Sequence, residues 1–395
     1  MKNLKLIGLS VIGGLLAGTA GVYYYNKKQM PVEIPNFSPR SSDVTASVEF
    51  LNAQKSVEFY RDAIRRKPEV TKNYVELAQI YIQEARVTAL HHEYFPKAER
   101  LLDKALKIDP NDFNAIITKA SMMATLHQFE QAKQLAQKAI FLNPYNAFSY
   151  GVLCDAHVEL GEYDEAVNAC DKMLSIRPDL RSYARASYLR EIHGDNAGAR
   201  QAMQMAGESG VMGQENRAWA FYNLGKLFLN EGKVDTAEYI FNGILQERSD
   251  YAFAISGLAQ VKCAQNKYDE AVALLKNAFS TTPEHSFIEE LANVYRATEH
   301  TTLAEETIER VEKEFADHVK EGWNVDKEYA LFCANHEIHL EEALERAQKE
   351  YERRPNNIEA LDTYAWTLFK NGRAAEAVPY MEKALRMGTK NSAMK

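Results

Sequence analysis

The side chains best suited to chemistry are ten histidines, four cysteines and a large stock of carboxylates. His91-His92-Glu93 and His336-Glu337-Ile338-His339 come nearest to a metal site. A zinc-type helix needs the H-E-x-x-H spacing, which puts both imidazoles on one face. Neither run has it. A helix could align His336 with His339, but no third ligand follows, so both runs read as surface or turn histidines. Cys154, Cys170, Cys263 and Cys333 form no C-x-x-C pair, which argues against a zinc ribbon or a redox motif. Cysteine otherwise behaves as a small hydrophobe, so four small buried residues are expected. There is no G-x-S-x-G elbow, no phosphate-cradling G-x-x-x-x-G-K-[ST] and no G-x-G-x-x-G after a strand. Nothing pairs two carboxylates as acid and base. The expectation is a protein without catalytic residues, metal or cofactor. The residual enzyme reading would place a site in the irregular stretch from Arg86 to Pro96.

The elements that would hold any site are helices. Only 11 prolines and 19 glycines punctuate the chain, 46% of residues are hydrophobic, and long alternating β-branched runs are absent. Net charge is −8 with no basic stripe, so nucleic acid is not an expected partner. Leu, Ala and Tyr are too plentiful for global disorder.

Residues 1–25 read as a transmembrane anchor or signal peptide. Lys2 and Lys5 precede a stretch from Leu6 to Tyr25 without a formal charge, about the length that spans a bilayer. Tyr23, Tyr24 and Tyr25 suit the interface, and Lys27 and Lys28 follow. Gly18-Thr19-Ala20 also offers a cleavage site, so secretion after cleavage is the rival expectation. Either way the bulk of the chain is expected to be extracytoplasmic, periplasmic or extracellular. Gly14 and Gly18 have the spacing that can pair membrane helices. Residues 26–46, with Pro31, Pro35 and Pro39, read as a stiff linker.

Beyond it, alanine sets a ruler. Ala98, Ala132, Ala166, Ala199, Ala237, Ala271, Ala304, Ala343 and Ala377 stand 34, 34, 33, 38, 34, 33, 39 and 34 residues apart. Pro110, Pro144, Pro178, Pro283 and Pro355 stand twelve residues after five of them. Gly161, Gly194, Gly232, Asn266 and Gly372 stand five residues before five of them. Glycine or asparagine can take the left-handed turn that ends one helix. Alanine lets a second helix approach closely, and proline stops it.

The pattern resembles the tetratricopeptide repeat. Phe221, Leu224, Gly225, Phe228, Ala237 and Phe241 fit one repeat; Tyr150, Leu153, Gly161, Tyr163, Ala166 and Pro178 fit another, with Cys154 in the glycine slot. Leu77, Ala78 and Tyr81 fit the first full repeat, and Leu258, Ala259, Ala271, Ala278 and Pro283 a later one. The run Ser182 to Arg190, followed by Gly194-Asp195, looks like a broad group of bacterial repeat proteins with no assigned chemistry, and together with residues 1–25 the chain resembles their type with an N-terminal membrane or signal segment. The resemblance implies an all-α fold: a right-handed superhelical solenoid of antiparallel helix pairs, about nine repeats over residues 71–390. Residues 47–70 read as an N-terminal capping helix, and residues 391–395 as the start of a missing next helix. Longer gaps place extra length near Arg86 to Pro96, Gly207 to Gly213 and Phe315 to Val325.

In such a solenoid the first helix of each pair lines the concave surface. Counting from the matched Leu-Gly positions, the inward residues are Arg181, Arg185, Tyr188, Trp219, Tyr222, Asn223, Lys226, Gln260, Asn293 and Arg296. Arg, Lys and Asn could hold a carboxylate or peptide backbone, and Tyr and Trp offer apolar contact with a polar tip. The resemblance implies a scaffold that binds a protein or peptide partner. The alternative is a structural subunit of a membrane-associated assembly, self-associating through its end face and membrane helix.

Overall fold

A computed structural model describes residues 48–88, 90–320 and 323–390. The expected anchor, linker and final residues 391–395 lie outside the described residues. No helix among the described residues is long and apolar enough to cross a membrane.

Among the described residues, a single helix, α1 (Val48–Arg66), precedes nine helix pairs. The pairs are α2 (Thr71–Thr88) with α3 (His91–Ile108), α4 (Phe113–Thr125) with α5 (Phe129–Leu142), and α6 (Ala147–Leu160) with α7 (Tyr163–Ile176). Then come α8 (Leu180–Ile192) with α9 (Asn196–Glu208), α10 (Glu215–Asn230) with α11 (Val234–Glu247), and α12 (Ala252–Ala264) with α13 (Tyr268–Thr281). The last are α14 (His285–Ala297) with α15 (Thr301–Lys320), α16 (Asp326–His336) with α17 (Leu340–Arg353), and α18 (Ile358–Lys370) with α19 (Ala374–Ala384). A 3-10 turn, Leu385–Met387, follows.

Five of the described helices start at a side-chain cap. Asp112, Asn146, Asp195 and Asn357 each accept a backbone N–H of the first turn. Asp179 and Ser182 cap each other reciprocally at the start of α8. All nine ruler alanines are buried, at the close approach of paired helices. Gly161, Gly194, Gly232, Asn266 and Gly372 all have positive φ. The same position five residues before the ruler alanine is filled by His127 (φ 58°) and Glu299 (φ 60°). Repeat geometry there imposes a left-handed turn that residue type alone does not announce.

The three irregular gaps are absorbed differently. Near Arg86 to Pro96 both helices of the first pair lengthen to 18 residues. After α9 the extra length is loop, exposing Val211 and Met212. In the seventh pair α15 runs for 20 residues and buries Phe315. Of the cysteines, Cys154, Cys170 and Cys333 are buried and Cys263 half-buried.

The solenoid also closes on itself, which the repeat pattern does not anticipate. Ile358, Leu361 and Ala384 of the last pair share a core with Cys154, Val158, Tyr163 and Ala166 of the third. The end of the last repeat, expected to lead into a further helix, reaches the α8–α9 turn. There a Cβ on Gly194 would sit 2.3 Å from the Gly388 carbonyl oxygen.

Candidate functional site

Two seams convert a groove into a chamber. At the first, Asn357 Nδ2 donates to the Val158 carbonyl at 3.2 Å, and the Ile358 N–H donates to the Tyr163 hydroxyl at 2.9 Å. Arg354, 4% exposed, pairs with Glu350 and with Glu159 (2.5 Å) and lies 4.9 Å over the Phe129 ring. Glu359 accepts from Lys327 Nζ at 2.6 Å and from the Tyr188 hydroxyl at 2.9 Å. The Lys327 ammonium holds its carboxyl down to about 2, against the effect of burial. At the second seam, Trp323 stacks on Phe95 at 5.9 Å, meets His91 edge-on at 5.1 Å and lies against His318 at 5.6 Å. His127 Nδ1 meets the Asn324 carbonyl at 3.0 Å.

Inside lies a cavity of about 1150 Å³, walled mainly by the first helix of each of the first five pairs. Six of the ten residues expected on the concave face line it: Arg181, Arg185, Tyr188, Trp219, Asn223 and Lys226. The other four lie elsewhere. Tyr222 packs between Phe241 (5.9 Å) and Phe253 (5.7 Å). Gln260 accepts from Lys226 Nζ at 3.2 Å and donates to Glu290. Asn293 is exposed away from the cavity. Arg296 donates to the Asn335 carbonyl and to His336 Nδ1, both at 3.1 Å, tying two repeats together.

Most charges on the wall are already matched. Arg185 grips Asp155 with two bonds (2.8 and 2.5 Å) and also reaches the Gly151 and Arg181 carbonyls. Burial opposes the Arg185 charge, but Asp155 outweighs it and the guanidinium holds its proton more firmly than usual. Arg86 pairs with Glu215 at 3.0 Å and covers the Trp219 ring at 5.9 Å. Two groups differ. Among the described residues Arg181 has no carboxylate partner, and its guanidinium lies 5.2 Å over the Phe148 ring. Burial, then the neighbouring Arg185, lower its hold on the proton. Glu191 makes no side-chain hydrogen bond or ion pair with a described residue, and burial, reinforced by Glu359, raises its carboxyl above the ordinary value.

Arg86, Asp155 and Glu191 were absent from the expected site. Repeat arithmetic finds one of them. Stepping back from Lys226 by 38, 33, 34 and 42 residues gives Tyr188, Asp155, Ser121 and Gln79, all on the cavity wall. The histidine runs do not converge: His336 turns inward to Arg296, while His339 Nε2 meets Glu312 at 2.9 Å. Among the described residues no three His, Cys, Asp or Glu side chains are grouped to hold a metal.

Three segments, residues 149–180, 228–286 and 358–390, match the tetratricopeptide repeat family. The chain therefore carries tetratricopeptide repeats, and its fold is an all-helical solenoid of that kind. Among solved structures, the Cut9–Hcn1 hetero-tetramer of the APC/C aligns with a TM-score of 0.50 at 15% identity, covering 83% of this chain and 64% of that one. A tetratricopeptide repeat protein of Parabacteroides merdae aligns at 0.48 with 17% identity, covering 64% and 96%. Among curated proteins, the human protein O-mannosyl-transferase TMTC3 is 22% identical over 207 residues, 52% of this chain and 23% of its own length. Cellulose synthase operon protein C of Pseudomonas fluorescens (strain SBW25) is 21% identical over 220 residues, 54% of this chain and 17% of its own. The chain thus spans about a fifth of the length of these curated relatives.

Proposed function

We propose that this protein is a non-catalytic scaffold that holds a peptide inside the chamber, exported and tethered to the membrane through residues 6–25. The observation that carries the chamber is its wall. Eight charged side chains face it, yet among the described residues only Arg181 and Glu191 lack partners while remaining in reach of the cavity. A cavity that size, with aromatic and polar walls and few unmatched groups, has the character of a ligand site. The repeats support a protein or peptide as occupant. The charge pattern of residues 1–28 supports the export reading.

The test is affinity capture from native membranes with the wild type and with Gln83→Trp plus Asn230→Trp. Both side chains are exposed on the chamber wall, so the indoles fill space without breaking a bond. Loss of the captured peptide from the double variant is the expected result. Identical recovery sinks the chamber as the binding site. Fractionation of the full chain, with alkaline extraction, tests the tether: release into the soluble fraction refutes it.

A further inference from the structure

The two unmatched groups stand on one helix. Arg181 and Glu191 are ten residues apart on α8, about 15 Å along its axis at 1.5 Å per residue. Neighbouring charges divide between them. Around Arg181 lie Arg86, Arg177 and Arg185, each held by its own carboxylate: Glu215, Asp179 and Asp155. Around Glu191 lie Glu359, held by Lys327 and Tyr188, and Lys226, bonded to Gln260. The Phe148 ring, 5.2 Å from the Arg181 guanidinium, packs against the fork, which has no carboxylate partner among the described residues and could meet a ligand carboxylate.

Resting on the chamber reading, we propose that the ligand is a short peptide with both termini free, its carboxylate on Arg181 and its ammonium on Glu191. Extended backbone covers about 3.3–3.6 Å per residue, so about four or five residues bridge the two groups. An internal stretch of a longer chain would offer neither charge. A polyanion such as a nucleotide phosphate would meet one unmatched cation and then Glu191, Glu159 and Glu359. The raised carboxyl of Glu191 fits a group that gains from a cation brought beside it.

The experiment uses the full chain and an equimolar mixture of tetra- and pentapeptides in four forms: free, N-acetylated, C-amidated and doubly blocked. Equilibrium dialysis with mass-spectrometric readout measures retention. Free peptides are expected to be retained about tenfold over either singly blocked form, the usual scale of one charge-assisted bond. Arg181→Gln should erase the discrimination against amides and keep that against acetylated peptides. Glu191→Gln should do the reverse. Equal retention of doubly blocked and free peptides overturns the two-ended recognition while leaving the chamber as a peptide site. Retention of no form by the wild type also overturns it. The chamber reading fails separately, through unchanged peptide recovery by the indole-filled variant.

Discussion

Gly161 and Gly232 make a matched pair for testing closure. Both end the first helix of a repeat, with φ of +76° and +75°. Alanine in that conformation costs about 1–2 kcal/mol at either site. Nothing lies within 4 Å of a Cβ on Gly232, so that strain is the whole expected cost. A Cβ on Gly161 would stand 2.2 Å from the Asn356 carbonyl carbon, 2.3 Å from its oxygen and 2.6 Å from the Asn357 nitrogen. These are backbone atoms, so no side-chain rotation relieves the clash and the seam must part. Parting breaks Asn357 to Val158 and Ile358 to Tyr163, leaving buried polar groups unmatched at about 1–3 kcal/mol each. The excess for Gly161→Ala over Gly232→Ala is therefore about 2–6 kcal/mol. Urea denaturation of both variants measures it, and hydrogen exchange at the Ile358 amide locates it. The reasoning is refuted if the two variants agree within about 0.5 kcal/mol and the Ile358 amide stays protected.

Buried His336 accepts from Arg296 at Nδ1, and its Nε2 is buried without a partner; burial first, then the guanidinium, depress it to about 4. Its folded value lies below its unfolded value of about 6.5, so the stabilisation is full above that value and falls as pH drops from 6.5 towards 4. That amounts to about 2 kcal/mol lost between pH 7 and pH 5, and His336→Gln should remove this share of the pH dependence in denaturant titrations; an unchanged slope counts against it. Arg354→Met strands buried Glu350 and half-buried Glu159, so a loss of about 3–5 kcal/mol at pH 7 is expected by chemical denaturation, and a loss below 1 would show that the triad is solvated. Gly225→Ala would push a methyl to 2.4 Å from the Phe241 ring. Overpacking costs about 1–3 kcal/mol, and adding Phe241→Leu should recover part of it; strictly additive losses would show that the ring is not the obstacle.

Legibility from sequence followed range. The helix pairs were readable because their signals are local: a turn residue, an alanine five later, a proline twelve after that. The chamber wall was half readable for the same reason, since Asp155, Tyr188 and Lys226 occupy one register of successive first helices. Tyr222 was misplaced because inward and inter-repeat positions lie a single residue apart on a helix, and its ring chose Phe241 and Phe253. The seams were not readable. Tyr163 meets Ile358 across 195 positions, and Arg354 meets Glu159 across the same separation. Neither partner carries a local mark distinguishing it from any tyrosine or arginine on a solvated helix.

What sets those distant meetings is the accumulated geometry of the repeats. Each helix pair adds a small rotation, and stacking alone would leave an open groove. The extended first pair carries His91 and Phe95 to Trp323, which follows the extended α15. Two of the three irregular gaps thus meet at the second seam. The third, after α9, precedes α10, which brings Glu215 to Arg86 of the first pair and Trp219 beneath it. Every departure from the regular period therefore ends in a contact that bounds the chamber. The irregularities that weaken the resemblance to a uniform repeat array are the features that enclose its inner space.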